Sequence, residues 1–167
     1  MALIKNRQLV DDPFVNVTDD DDIPDQQPVI VSVKRWQANR DELIERGLAL
    51  GVRLRSDEHP ELIAADLDHL DIVALEFPTF RDGRPYSYAR LLRGRYGYRG
   101  EARAVGDVLM EQLHLMERVG FNAFEFDSDD PVRDFEIAAA DFSVWYQPSS
   151  DKRATAVWLR HGSKRDD

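Results

Sequence analysis

Five short apolar runs punctuate this chain, and each is followed by a stretch whose apolar residues recur at helical spacing. Val29-Ile-Val-Ser-Val33, Gly51-Val-Arg-Leu54, Asp71-Ile-Val-Ala-Leu-Glu-Phe77, Ala102-Arg-Ala-Val105 and Phe121-Asn-Ala-Phe-Glu-Phe126 read as strands. The third is nearly continuous in apolar residues, as a parallel strand covered on both faces must be. Strands that alternate with single amphipathic helices are joined by right-handed crossovers. The pattern therefore predicts a single α/β domain with a mainly parallel sheet of about five strands. Whether that sheet is open and doubly wound or curls like part of a barrel is left undecided by pattern alone.

The helix starts are read from capping residues. Asn39-Arg-Asp-Glu42 offers an N-cap with an acid three residues on, ahead of Leu43, Ile44, Gly47 and Leu48 on one face. Pro60 suits the first turn of a helix carrying Leu62, Ile63 and Leu67. Ser87 is expected to cap a helix bearing Tyr88, Leu91, Leu92 and Tyr96, and Asp107 to cap one burying Leu109, Gln112 or Leu113, and Met116, that Gly120 ends. Asp130-Pro131 opens another, with Val132, Phe135, Ala139 and Phe142 inward. At the N-terminus, Leu3-Ile-Lys5 and Gln8-Leu-Val10 flank a polar Asn6-Arg7 turn, a short hairpin read as an edge decoration. Asp19 to Asp22 form a solvated acidic loop, and Ala154 to Leu159 a possible last strand before a frayed tail from His161. The organisation is thus residues 1–27 as hairpin and acidic loop, 28–147 as the α/β domain and 148–167 as a C-terminal extension.

Composition removes several function classes. There is no cysteine, hence no thiolate nucleophile, redox disulfide or Cys-type metal site. The histidines at 59, 69, 114 and 161 lack ligand spacing, and the acidic run lacks the alternation of a calcium loop, so no metal is expected. No dinucleotide fingerprint, P-loop, nucleophile elbow or zincin motif occurs, and no cofactor is expected. The formal net charge of −10 weighs against nucleic acid. No signal-peptide-like run and no apolar stretch of about 18 residues is present, so a cytoplasmic protein without a membrane span is expected.

Charge nonetheless points to a place. Arg81, Arg84, Arg90, Arg93, Arg95, Arg99 and Arg103 stand against only Asp82 and Glu101 in residues 81–103, a local charge of +5 on a chain of −10. Ligands of parallel α/β sheets bind at the carboxyl ends of the strands. That rule selects the loops after the third, fourth and fifth strands. The first of these carries Arg81, Asp82, Gly83, Arg84, Tyr86 and Ser87, a combination suited to an oxyanion and equally readable as an exposed turn. Arg103 lies within a strand expected to be buried, where it needs a partner such as Asp107 or Glu76. Asp107 and Glu76 are the candidate acid and base, with Glu125 a second carboxylate at a nearby strand end. The arginines of the helix are expected to contribute field rather than contacts.

The stretches Leu75-Glu-Phe-Pro-Thr-Phe-Arg-Asp-Gly-Arg-Pro-Tyr-Ser-Tyr-Ala-Arg-Leu-Leu-Arg93, Gly100-Glu-Ala-Arg-Ala-Val-Gly-Asp-Val-Leu109 and Gln112-Leu113 resemble a bacterial family of unknown function. The resemblance extends over Gly51-Val-Arg-Leu54, Arg118-Val-Gly-Phe121 and Asp141-Phe-Ser-Val144. Genes of that family commonly neighbour the gene for the sulfite reductase haemoprotein, and its members are often labelled oxidoreductases of sulfite reduction. This chain has Pro85 where members often have glycine, and Val119 where many have cysteine. The resemblance implies an accessory protein of assimilatory sulfite reduction, in sulfur metabolism; charge and strand-end geometry make the loop Arg81–Ser87 with Arg103 and Asp107 its expected site for a small oxyanion or for sulfite reductase itself. The residues leave open an enzyme acting on a small anionic metabolite and a non-catalytic interaction module.

Overall fold

The computed structural model describes residues 2–140, 144–151 and 153–161. The expected core residue Phe142 and the tail 162–167 fall outside them. The strands are β1 (Ala2–Lys5), β2 (Gln8–Val10), β3 (Val15–Asn16), β4 (Val29–Ser32), β5 (Leu50–Leu54), β6 (Ile72–Phe77), β7 (Glu101–Gly106) and β8 (Ala123–Phe126). They form one sheet in the order β2-β1-β8-β7-β6-β5-β4-β3. From β3 to β8 every pairing is parallel, while β1 pairs antiparallel with both β2 and β8. The five predicted strands are all present; the other three come from the first sixteen residues. The hairpin is more than decoration, because β1 lies inside the sheet and Ile4 is fully buried in the core. Its two-residue turn puts Asn6 at φ 50° and Arg7 at φ 68°, the left-handed pair that matches the twist of a tight hairpin.

Sequential parallel strands with right-handed crossovers wind in one direction only, so every helix falls on the same face. The buried residues of α1 (Val33–Glu45), the 3₁₀ helix Pro60–His69, α2 (Arg84–Gly94), α3 (Leu113–Val119) and α4 (Pro131–Ala140) accordingly join one core cluster with Val29, Val31, Val52, Val73, Leu75 and Phe77. The opposite face carries Ile30, Ile72, Ala74 and Val105, covered by Phe14. The length of one connection sets how far the sheet curls. Only residues 11–14 separate β2 from β3, yet these strands are the two edges of the sheet. The five Cα steps from Val10 to Val15 reach at most about 18 Å, whereas the seven strand spacings of a flat sheet would span about 34 Å. The edges must therefore approach, and residues 11–14 strap the concave face.

Local starts differ from several expectations. α1 begins at Val33 because the Ser32 hydroxyl accepts from the Arg35 amide at 3.0 Å; Asn39 instead marks a kink inside the helix, with φ −123°. α2 begins at Arg84 with Pro85 in its first turn, and Ser87 is an exposed residue of its body rather than its cap. Asp107 caps no helix: a short 3₁₀ turn, Met110–Gln112, precedes α3. Gly120 does end α3, at φ 119°, and Asp130 caps α4 by accepting from the Arg133 amide at 3.3 Å. Residues 154–159 form no strand; α5 (Ala156–His161) occupies that region.

Candidate functional site

The arginine segment divides into groups with different partners. Arg84 is held in a local turn. Its guanidinium donates to Asp82 at 2.6 and 3.0 Å and to the Ser56 hydroxyl at 2.9 Å, while its amide donates to Asp82 at 3.1 Å. These bonds, led by the side-chain bond from Arg84, hold the Asp82 carboxyl far below the usual range. Gly83 is exposed at the helix start, and Tyr86 is half-buried edge-on against Phe77 with its phenol pushed up to about 12 by burial. Asp107 fastens two loops: its carboxylate accepts from the Phe80 amide at 2.8 Å, and its own amide donates to the Phe77 carbonyl at 2.8 Å. Gln112 adds a bond to the Phe80 carbonyl at 2.9 Å.

Arg103 is 1% exposed and faces the concave side. Its partners are not Asp107 or Glu76. Its Nε donates to Glu101 at 2.6 Å, and Nη1 donates to Asp12 at 2.5 Å and Glu125 at 2.9 Å, with Phe14 beneath the guanidinium. Burial opposes the charge, but the bonds to Asp12 and Glu101 outweigh it and hold the pKa above the ordinary arginine value. Lys5 closes the network on Glu101 at 2.8 Å. Arg93, expected among the solvated helix arginines, is also committed. It donates to the carbonyls of Gly120, Tyr98 and Gly100 and to the Asn122 side chain at 2.8–3.1 Å, tying α2 to the starts of β7 and β8.

Arg81, Arg90, Arg95 and Arg99 differ from these. All are exposed, and none has a carboxylate partner among the described residues. Arg81 lies over Phe80 and Arg95 over Tyr96, with guanidinium carbons 5.4 and 5.7 Å from the ring centres. Arg90 and Arg95 share a shallow groove with Ser87, Leu91 and Gly94 on the outer side of α2. The predicted group thus spreads from a loop over a convex helix, while Arg103 sits inside the sheet.

Glu76 and Glu125 do not act as a pair. Strand register places them two strands apart, and each is bonded to its own arginine, Glu76 to Arg53 at 3.1 Å and Glu125 to Arg103. Glu76 lines a cavity of about 320 Å³ at the carboxyl ends of β3–β6, together with Ser32, Lys34, Arg53, Arg55 and Glu58. Those residues escaped the sequence reading, which applied the strand-end rule only from the third predicted strand onward. The signal was there in Arg53-Leu-Arg55, charge at the end of a strand expected to be buried.

Together these features define an α/β protein whose parallel strands wind one way into a curled sheet, with an ionic interior and an arginine-studded outer helix. The chain belongs to a family described as Bacterial protein of unknown function (DUF934), which matches residues 51–157, well over half its length. No curated protein matches it. Among the described residues, no helix is long and apolar enough to cross a membrane, and no group of three or more His, Asp or Glu could hold a metal ion.

Proposed function

We propose that this protein serves assimilatory sulfite reduction as an accessory that docks an acidic surface of sulfite reductase through Arg81, Arg90, Arg95 and Arg99. The pathway is supported by the resemblance carried by residues 75–113. The docking mode rests on one observation, that these four guanidinium groups have no carboxylate partner among the described residues while most other arginines are engaged. Unpaired arginines on a convex face are free to form charge-assisted bonds with a partner's carboxylates, and their field on an otherwise acidic molecule orients the encounter. A small oxyanion at the same loop is less favoured, because Asp82 already occupies the Arg84 guanidinium.

Two measurements test this. Deleting the gene should impair growth on sulfate as sole sulfur source, with rescue by the wild type and not by Arg90→Glu/Arg95→Glu; normal growth of the deletion strain overturns the pathway. Purified reductase should bind the wild type with an affinity that falls as salt rises, and the double reversal should weaken binding by about ten-fold or more. Equal binding by the variant overturns the docking face.

A further inference from the structure

The cavity at the carboxyl ends of β3–β6 lies apart from the arginine face, and sequence explains why space exists there. Across β4, β5 and β6 one row of the concave face reads Ser32, Arg53, Ala74. A long side chain stands between two short ones. One level lower the row is Ile30, Gly51, Ile72, where a Cβ on Gly51 would sit 2.8 Å from Ile30 and 3.1 Å from Ile72. The isoleucines meet over the glycine and close the bottom of this part of the sheet. Above them Ile30 supplies the apolar wall and Thr18, Ser32 and Asn16 the polar one, while the side chains of Val17 and Val31 belong to the helix-side core.

The charges in this cavity balance. Lys34, Arg53 and Arg55 face Asp19, Glu58 and Glu76. Arg53 is the central cation. Its Nε donates to Glu76, and neither Nη has a partner among the described residues. Those nitrogens are a ready fork for one oxyanion. Each carboxylate has bonds to spare, since an ionised carboxylate offers about four acceptor positions. Asp19 uses one on Ser32 at 2.5 Å and faces Lys34 at 3.6 Å, and Glu58 uses one on the Arg55 amide at 2.8 Å and faces the Arg55 guanidinium at 3.4 Å. A bare anion would enter beside three carboxylates on a molecule of net charge −10, and a bare cation would leave the Arg53 donors idle. A ligand with both charges meets neither obstacle.

We propose that this cavity binds a small zwitterion of amino-acid size, its oxyanion on the Arg53 Nη groups, its ammonium among Glu76, Glu58 and Asp19, and its side chain against Ile30. The volume of about 320 Å³ equals that of roughly ten waters, room enough for an amino acid. The site is independent of the docking face, so either assignment can fail alone.

The test is calorimetry and thermal unfolding of the intact protein with each proteinogenic amino acid, and with acetate, sulfate and methylammonium as single-charge probes. At least one amino acid should bind one to one and raise the unfolding midpoint, with the single-charge probes giving no comparable effect. Arg53→Gln should weaken that binding by about ten-fold or more, and Arg90→Glu/Arg95→Glu should leave it unchanged. Should Arg53→Gln fail to fold, Arg53→Lys, which keeps the charge and loses the paired Nη donors, should show the same loss. Binding by no amino acid, equal binding by acetate or sulfate, or unchanged affinity in a folded Arg53 variant overturns the assignment.

Discussion

Arg103 illustrates what a buried guanidinium demands of its surroundings. With 1% of the residue exposed, every nitrogen donates to a carboxylate. Replacing it by Met leaves Glu101, itself 5% exposed, with only Lys5 as counter-charge, and leaves Asp12 and Glu125 facing each other. The expected cost is about 3–5 kcal/mol, read as a lowered urea midpoint at neutral pH. Glu101→Gln on top of Arg103→Met should recover part of that loss, because one stranded charge goes with it. The need for a partner was legible in the sequence, since charge inside an apolar strand requires one. Glu101 was legible too, because a period of two puts it on the same face as Arg103. Asp12 was not, being 91 residues away and delivered only by the strap.

At the scale of the element, strands read more clearly than helix ends. An apolar run such as Ile72–Phe77 admits one interpretation, but several polar residues compete to cap each helix. Ser32 won over Asn39 for α1, because the chain leaves β4 directly into the helix. The loops after β6 and β7 are laced together by Asp107, and its side chain was taken by the Phe80 amide before it could cap anything. Arg93 shows the same competition: its guanidinium turns inward to the carbonyls of Tyr98, Gly100 and Gly120. Arg93→Ala should therefore destabilise by about 2–3 kcal/mol, more than an exposed arginine would, since those carbonyls lose charged donors. Hydrogen exchange should quicken at residues 98–102 and 120–122 while Arg90→Ala leaves both segments protected.

The whole molecule is a sheet curled tightly enough for four residues, 11–14, to join its edges. Its ends are tied across long sequence separations. Glu117 on α3 accepts from Arg7 of the hairpin turn at 2.7 and 2.8 Å and from Arg153 of the C-terminal segment at 2.7 Å. Burial would raise the Glu117 carboxyl, but the bonds and charges of Arg7 and Arg153 more than offset it and hold it below the ordinary glutamate value. Because the folded value lies below the unfolded one, this contribution is full above the unfolded pKa of about 4.3 and is lost as pH falls through the folded value. Denaturant midpoints measured from neutral to acid pH should fall more steeply for the wild type than for Glu117→Gln; parallel slopes would remove Glu117 from the acid response. By itself the sequence determined the strand-helix alternation and, through it, a mainly parallel sheet, because strands joined by single helices need crossovers, whereas the strand order and with it the single face that carries every helix came from the fold. Only the tertiary structure decided the closure of the concave face, the partners of Arg103 and Arg93, and the cavity beside Arg53. These depend on which residues a curled sheet brings together across strands, a relation that local spacing does not encode.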